Sequence, residues 1–600
     1  MKQNLLHKGA SIYYHFLCPL LIFFCMEWFL RNPFHEKWGI KAVLIPVNLI
    51  FFYVLACLFY GLTGHLRISL FVLSLSAFLF GVADHYVYRF RGNTIVPWDL
   101  FSLRTAFSVA DNYDYTPVKR VVITGIIFLL IIVSIAFCTF QIKEQKKLRA
   151  ALSLMSLLFL ILAYVPFVQS DKVIKKLKVY DKLFTPSTMT MRDGTVFAFI
   201  YDMQFLEAEK PRDYHKDSIR ASLYSEYGGD DKETIETDSS TPNIIVIMCE
   251  AFADPSVLAD FDTNEDYMPF IRSLMEEKNV KSGHLHVSVK GGNTPNTEYE
   301  FLTGHSMAFL PQGSIPFQQF LRKKTDAMPS YLSERGYRTV AMHPFRARGW
   351  ARDKAYPLLG FDKMYFIDHF KERAPEYVRK YISDKCLFNE IIEQYKENGK
   401  ETPLFSFNVT MQNHSEYSGE YDNFTPDISV AGLEGDRPIE TYLSLEKITD
   451  SAFKDLISYF DSISDPTLIV FFGDHQVADH VMEPLLKLNG KTGADLSDED
   501  NRLRYTVPFL IWANYDIEEE HDLEISPGFL GNLTLNCAGT ELTGYRAFLN
   551  EQYLKTPVVS AIHTLKADGN DSDTGMDDPD LLKYRQYQYY EMFDDDDTLE

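Results

Sequence analysis

The sequence predicts an α-helical membrane domain followed by an α/β domain with a mainly parallel sheet. Three observations carry that expectation. Apolar residues crowd into the first third of the chain, in segments of about twenty residues, the length that crosses a bilayer core. From Thr241 onwards, short β-branched runs alternate with helix-period stretches, the pattern of a sheet covered by helices on both faces. Finally, carboxylates and histidines stand just past the ends of those runs, where open α/β sheets bind their ligands.

Five spans are expected, at Ser11–Leu30, Ala42–Leu62, Ile68–Tyr88, Val121–Ile142 and Leu148–Phe167. The first lacks a small-residue cleavage site and is followed by further spans, so it reads as an anchor rather than a cleaved signal. The short loop Lys143-Glu144-Gln145-Lys146-Lys147-Leu148-Arg149 is basic, and basic short loops stay cytoplasmic. An odd number of spans then places everything after the fifth outside the cell. Arg89, Arg91, Arg104, Lys119 and Arg120 would lie in a longer outside loop, beside the interfacial stretch Pro97-Trp98-Asp99-Leu100-Phe101. Glu27, Asp84 and His85 fall near span ends and read as headgroup-level residues.

The organisation expected is a five-span domain over residues 1–168, a linker with interfacial helices over 169–240, a catalytic domain over 241–562 and an acidic tail over 563–600. The linker contains the polar run Tyr227-Gly228-Gly229-Asp230-Asp231-Lys232-Glu233, a tether by composition. Strands are expected at Asn243–Cys249, Arg338–Met342, Leu404–Thr410, Thr467–Phe472 and Thr506–Trp512. Helices are expected at Tyr267–Lys278, Met328–Gly336, Lys385–Asn398 and Tyr442–Ser462. Leu581 to Tyr590 reads as a last helix, and Asp594 to Asp597 as a solvated acidic run.

Composition excludes some functions. The formal net charge of −23 argues against nucleic acid as a partner. A mean hydropathy of −0.14 hides the apolar first third. The seven cysteines have no spacing of a disulfide framework or a zinc knuckle.

The candidate site is organised around Gly291-Gly292-Asn293-Thr294-Pro295-Asn296-Thr297-Glu298. Two glycines let a backbone approach a ligand closely. Pro295 disfavours helical geometry at Thr294, which puts that hydroxyl at a bend. Glu298 and Glu300 then open a helical run, and a helix N-terminus beside a hydroxyl suits a phosphate. The run Asn243–Cys249 ends in Glu250, and Leu468–Phe472 leads through Gly473 to Asp474-His475. Two acids, an imidazole and the Thr294 hydroxyl can converge on one divalent cation. Mixed oxygen and nitrogen ligands suit Mn²⁺, Mg²⁺ or Zn²⁺ without choosing among them. His480, five residues after His475, reads as surface.

At Glu250, Gly292-x-Thr294, His343 with Trp350-x-Arg352, Asn413-His414 and Gly473-Asp474-His475, the chain resembles the lipoteichoic acid synthase family. Those are membrane-anchored members of the sulfatase and alkaline phosphatase superfamily. The resemblance covers spans, linker and catalytic domain. It implies an extracellular sulfatase-like, alkaline phosphatase-like domain with Thr294 as nucleophile. It implies that Glu250, Thr294, Asp474 and His475 hold a cation, manganese in the best-known members. It also places His343, Trp350, Arg352 and His414 around a phosphoglycerol group. The chain departs from the family at Asn293, at Pro295, at Pro344-Phe345 after His343, and at Ile525-Ser526-Pro527-Gly528.

The function expected is therefore phosphoglycerol transfer. A membrane phospholipid resembling phosphatidylglycerol gives its head group to Thr294, which passes it to an extracellular polyol or glycan. His414 would protonate the leaving alkoxide and later deprotonate the acceptor. Phosphoethanolamine transfer and metal-dependent phosphodiester or sulfate ester hydrolysis are the alternatives. Formylglycine sulfatases need a Cys-x-Pro-x-Arg motif, which is absent here.

The topology is testable. A cysteine introduced near Glu233 should react with an impermeant thiol reagent on intact cells, and one introduced near Lys146 should react only after lysis. Protection near Glu233 would place the catalytic domain in the cytoplasm and remove its lipid donor.

Overall fold

The structure is a computed structural model that describes residues 2–30, 39–91, 94–102, 115–168, 170–179, 186–228, 241–311, 313–493, 496–569, 571–572 and 578–595. Expectations at Arg104, at 229–240 and at residues 596 and 597 lie outside them. The chain divides into two compact units, one of residues 1–100 and 113–207 and one of residues 101–112 and 208–600.

Among the described residues of the first unit, four helices are long and apolar enough to cross a membrane: His7–Phe29, Ile45–Thr63, Leu66–Arg89 and Lys119–Ala136. They coincide with the first four expected spans. The fifth expected span falls on the helix Lys146–Val168. Glu27 and Asp84, near the ends of their helices, are buried within the protein, each about 1% exposed. The Glu27 carboxylate accepts from the backbone N–H of Thr195 at 2.9 Å and from its hydroxyl at 3.2 Å. Thr195 opens the helix Thr195–Asp202. A helix N-terminus has unpaired N–H donors and positive potential, which compensates a buried carboxylate.

The second unit carries an eight-stranded sheet. Its strands are β1 (Asn243–Cys249), β2 (Val280–His286), β3 (Arg338–Met342), β4 (Lys363–Tyr365), β7 (Leu404–Val409), β8 (Thr467–Gly473), β9 (Thr506–Ala513) and β10 (Glu520–Ile525). The short hairpin strands β5 (Tyr377–Val378) and β6 (Tyr381–Ile382) stand apart. The order across the large sheet is β10-β2-β9-β8-β1-β7-β3-β4. Only β9 runs against its neighbours; the other pairings are parallel.

Every residue of β1 and β8 is buried, because helices cover both faces of the central strands. One core, with Phe301, Phe407 and Phe472, lies on one face, and another, with Leu443, Phe453 and Phe471, lies on the other. At the end of β8, a Cβ on Gly473 would meet the Phe252 carbonyl oxygen at 1.8 Å, so only glycine lets the β1 and β8 ends close together. All five expected strands are present. β2, β4 and β10 were not anticipated.

The chain beyond residue 562 contributes to the core. In the helix Pro579–Tyr589, Tyr584 and Tyr587 are each 1% exposed. Tyr587 shares a hydrogen bond of 2.9 Å with Ser222 on the helix Lys216–Tyr227. Asp594, expected in a solvated run, accepts from the Tyr214 hydroxyl at 2.7 Å. Tyr584 donates to the carbonyl of Gly304, which caps the helix Thr294–Thr303. Tyr584→Ala should therefore destabilise the second unit by about 3–5 kcal/mol. Thermal unfolding of the detergent-solubilised protein measures this; an unchanged transition would show that the last helix is peripheral.

Candidate active site

Glu250 follows β1, Asp474-His475 follow β8, His343 follows β3, and His414 lies on the loop after β7. Their neighbouring parallel strands bring them to one edge of the sheet. Glu250, Asp474 and His475 are buried and present ligand atoms within 4.8 Å of one another. His475 Nε2 lies 3.2 Å from Asp474 Oδ2 and 3.8 Å from Glu250 Oε1. The Thr294 hydroxyl donates to Glu250 Oε2 at 3.2 Å.

The backbone fixes this arrangement. Gly291, Gly292 and Asn293 have φ of 67°, 142° and 65°, a turn in the left-handed half of conformational space. It swings the chain after β2 into the helix Thr294–Thr303. Thr294 is thus the first residue of the helix, not a bend before it, and the helix begins four residues earlier than expected. Proline is tolerated in a first turn, where its missing N–H would be unpaired anyway, and the bend falls on the residues before Thr294. Thr297, the other hydroxyl of the same stretch, is fully buried and donates to the Asp474 carbonyl at 2.8 Å.

The residues fit a cation. Asp474 Oδ1 accepts from the Ala251 N–H at 2.7 Å, while Oδ2 is buried without a hydrogen bond. His475 Nδ1 lies 3.0 Å from the Gln476 carbonyl. A carbonyl only accepts, so the proton is on Nδ1 and the lone pair on Nε2. That nitrogen is also buried without a hydrogen bond. An orphaned carboxylate oxygen and an orphaned imidazole nitrogen, facing a second carboxylate, form the donor set of a divalent ion. Burial, then the charge of Asp474, pushes the Glu250 carboxyl well above the usual range. Burial likewise raises Asp474, with His475 acting in the opposite direction.

Of the other expected residues, His343, Arg352 and His414 interact electrostatically with this centre or with one another. Burial, then the Arg352 charge, pushes His343 well below the usual imidazole range, and its Nδ1 lies 2.9 Å from the Val409 carbonyl. Trp350 is half-buried, and it and Ala351 have φ of 56° and 60°. Two consecutive non-glycine residues in that region mark a strained turn. His480 is exposed, on the helix Asp479–Leu488.

Arg352, which the resemblance places around the phosphoglycerol group, pairs with a carboxylate inside the protein: Nε lies 3.0 and 3.1 Å from the two Glu298 oxygens, and Nη2 pairs with Oε1. Tyr356 donates to the same carboxylate at 2.6 Å. The planar fork is committed to Glu298, which leaves Nη1 as the donor for a substrate. Glu298 itself was read only as part of a helix start, because nothing in the sequence links it to a residue fifty-four positions on.

His414 Nδ1 lies 2.8 Å from the Ser415 carbonyl and 3.1 Å from the Tyr381 hydroxyl. Burial pushes its pKa down to about 4. The imidazole is therefore neutral at physiological pH, with its proton on Nδ1 and Nε2 basic.

Comparison with known proteins agrees with this geometry. Residues 242–540 match the sulfatase family. A putative cyclic β-1,2-glucan modification protein of Rhizobium meliloti (strain 1021) is 30% identical over 435 residues, 70% of this chain and 64% of that protein. The lipoteichoic acid synthase of Staphylococcus aureus (strain USA300) is 25% identical over 237 residues, 39% of this chain and 35% of that protein. The chain thus covers less than two thirds of the length of either relative. The solved structure of Streptococcus pyogenes phosphoglycerol transferase GacH with sn-glycerol-1-phosphate matches 64% of this chain and 94% of its own, at 22% identity and a TM-score of 0.50, a likeness of fold. Residues 242–540 thus form a sulfatase-like domain with the fold of that solved structure. The chain that carries it has apolar helices at its N-terminal side and is similar in sequence to the lipoteichoic acid synthases.

Two consequences of the site can be measured together. A carboxyl raised by burial is protonated without a cation and must be deprotonated to bind one, so Mn²⁺ binding should release about one proton. Calorimetry in buffers of different ionisation enthalpy reads that number directly. Asp474→Asn should weaken Mn²⁺ by more than the roughly 10- to 100-fold typical of outer-shell changes. Unaltered affinity in Asp474→Asn, with no proton released by the parent, would remove this ligand set.

Proposed function

We propose that the protein transfers a phosphoglycerol head group from a membrane phospholipid to an extracellular polyol or glycan, through a covalent ester on Thr294. One observation carries this reading. A buried threonine hydroxyl, at the first position of a helix, donates to Glu250 beside a three-residue donor set with two orphaned ligand atoms. Glu250, Asp474 and His475, with Thr294, would hold the cation. When bound, a divalent ion supplies charge neutralisation and lowers the pKa of the threonine hydroxyl. Mn²⁺ is the ion the family resemblance favours, with Mg²⁺ and Zn²⁺ compatible with the ligand types.

The chain's own groups account for the rest. Thr294 Oγ attacks phosphorus, an O–P bond forms, and the bond from phosphorus to the diacylglycerol oxygen breaks. The hydroxyl's proton passes to Glu250 Oε2, its hydrogen-bond partner, and the diacylglycerol oxygen takes a proton from water and leaves as the alcohol; in the second half the proton on Glu250 returns to the Thr294 oxygen. The N-terminal N–H groups of Thr294–Thr303 and Nη1 of Arg352 provide donors for phosphate oxygens. In the second half the acceptor hydroxyl attacks phosphorus and the Thr294–phosphorus bond breaks. Neutral His414, with Nε2 basic, suits withdrawal of the acceptor's proton. Its role as an acid towards the leaving alkoxide would require protonation first.

The charges near His414 favour a glycerol head group. Lys380 and Arg379 both hold its pKa down electrostatically, so a cationic ethanolamine would sit beside like charge. The glucan-modifying name of the Rhizobium relative supports a glycan acceptor. An extracellular site has no nucleotide donor, and the lipid phosphodiester itself supplies the energy of transfer.

Thr294→Ala should lower turnover on the order of 10⁴-fold or more, while the fold is retained. Mixed micelles carrying phosphatidylglycerol labelled in the head group, with Mn²⁺, should leave label on Thr294 after rapid acid quench. Label on Thr297, or faster diacylglycerol release from phosphatidylethanolamine, would replace this assignment.

A further inference from the structure

Arg379 combines three features that each cost stability. It is the first residue of the two-residue turn between β5 and β6, and its φ is 56°, a conformation that favours glycine or asparagine there. Its side chain belongs to a residue only 4% exposed. Among the described residues no carboxylate pairs with it. Its partners are instead three backbone carbonyls of one loop: Nη2 donates to Gln412 at 2.7 Å and to His414 at 2.7 Å, and Nη1 to Glu416 at 2.8 Å. The rings of Tyr381 and Tyr417 flank the guanidinium at 5.6 and 5.5 Å. Its Nε is buried without a hydrogen bond.

A buried cation without a counter-charge is costly, and a strained backbone adds to the cost. Neither is needed to close a two-residue hairpin. Both are explained if the guanidinium serves the loop it grips. That loop carries His414, and the next hairpin residue but one, Tyr381, touches the His414 ring through its hydroxyl and donates to Ser415 at 2.8 Å. The hairpin is itself tethered from outside, because Asn423 donates to the carbonyls of Tyr377 and Arg379 at 2.9 and 3.0 Å.

We propose that Arg379 is a positioning residue: by binding three alternate carbonyls of the 412–416 loop it fixes His414 against Tyr381 with Nε2 directed to the reacting oxygen. The direction of Nε2 rests on the phosphoglycerol-transferase reading above; the grip on the loop does not. The loop turns at residues 412–413, so that the carbonyls of 412, 414 and 416 converge on one point, and only a planar fork with several donors reaches all three. Lysine has one donor head and would keep the charge and part of the contact. Methionine would keep the bulk and lose both. Arg379 also contributes fixed positive charge. The charged and titratable groups that act on His414 are Lys380 and Arg379 from the hairpin and His475 from the loop after β8; Tyr381 contacts its ring, and His414 in turn acts on His343.

The test uses the full chain in mixed micelles and compares the parent with Arg379→Met and Arg379→Lys. Turnover of phosphatidylglycerol should fall on the order of 100-fold in kcat for Arg379→Met, with KM changed less than about threefold, as for a lost alignment of a proton-transfer group. Arg379→Lys should recover about a tenth or more of the parent's kcat, and Mn²⁺ affinity should stay within about threefold in both. A second readout needs no substrate. Carbethoxylation of His414, followed by mass spectrometry with exposed His480 as internal reference, should be several-fold faster in Arg379→Met at neutral pH. Its acid limb should also move to higher pH, because a cation that disfavours the imidazolium has gone. Parent-like kcat or an unchanged His414 modification rate in Arg379→Met would overturn the proposal, as would loss of Mn²⁺ binding along with activity. A parent without turnover on any phospholipid would overturn the transferase reading instead, and the His414 footprint would then decide on Arg379 alone.

Discussion

Glu250 and Asp474 stand side by side inside the protein, and two carboxylates so placed oppose each other's ionisation. Much of the site's architecture answers that repulsion. The Thr294 hydroxyl and the Ala251 N–H each take one carboxylate oxygen. His475 turns an unprotonated nitrogen towards the pair, and the N-terminus of the helix Thr294–Thr303 adds positive potential. What these contacts leave over, one oxygen of Asp474 and one nitrogen of His475, is what a cation would satisfy. The Arg352–Glu298 pair nearby is internally neutral, and so adds rigidity without adding to the imbalance.

Sequence reasoning reached the centre of this arrangement and missed its supports, for physical reasons. β1 and β8 are covered on both faces, so they appear as unbroken apolar runs ending in an acid. β2 reads Val280-Lys281-Ser282-Gly283-His284-Leu285-His286 and β10 reads Glu520 to Ile525 with three charged residues. β10 is at the rim and partly exposed, while β2 is buried between two strands but carries Lys281, His284 and His286, so neither shows an unbroken apolar run. Thr294 was misplaced because a rule about the residue before proline outweighed the tolerance of helix starts for proline. The three-residue turn of positive φ that decides the matter has glycine at only two of its positions. Glu298 and Arg379 were invisible for a different reason. Their partners are, respectively, a distant side chain and backbone carbonyls, and neither leaves a pattern in composition or spacing.

Polar groups in the first unit follow the same logic on a smaller scale. Within the protein, Glu27 accepts from the start of a short helix, and Asp84 accepts from the N–H of Ile95, just past its own helix. Asn48 reaches the same short helix as Glu27, donating to the Asp193 carbonyl at 2.7 Å and accepting from the Phe197 N–H at 2.8 Å. Glu27 and Asn48 thus satisfy the backbone of the segment that follows the last apolar helix, which ties that segment to its own unit.

The helix Pro579–Tyr589 has a consequence for how the protein comes into being. Its tyrosines complete the core that backs the Thr294 helix, and it closes against Lys216–Tyr227, at the other end of the same unit. The first and last pieces of this unit are therefore neighbours in space while being separated by the whole domain in the chain. During synthesis the helix Pro579–Tyr589 must emerge before the core that backs the Thr294 helix can shut. The strands and loops that carry Glu250, Asp474 and His475 are therefore made well before the packing that holds them in place is complete.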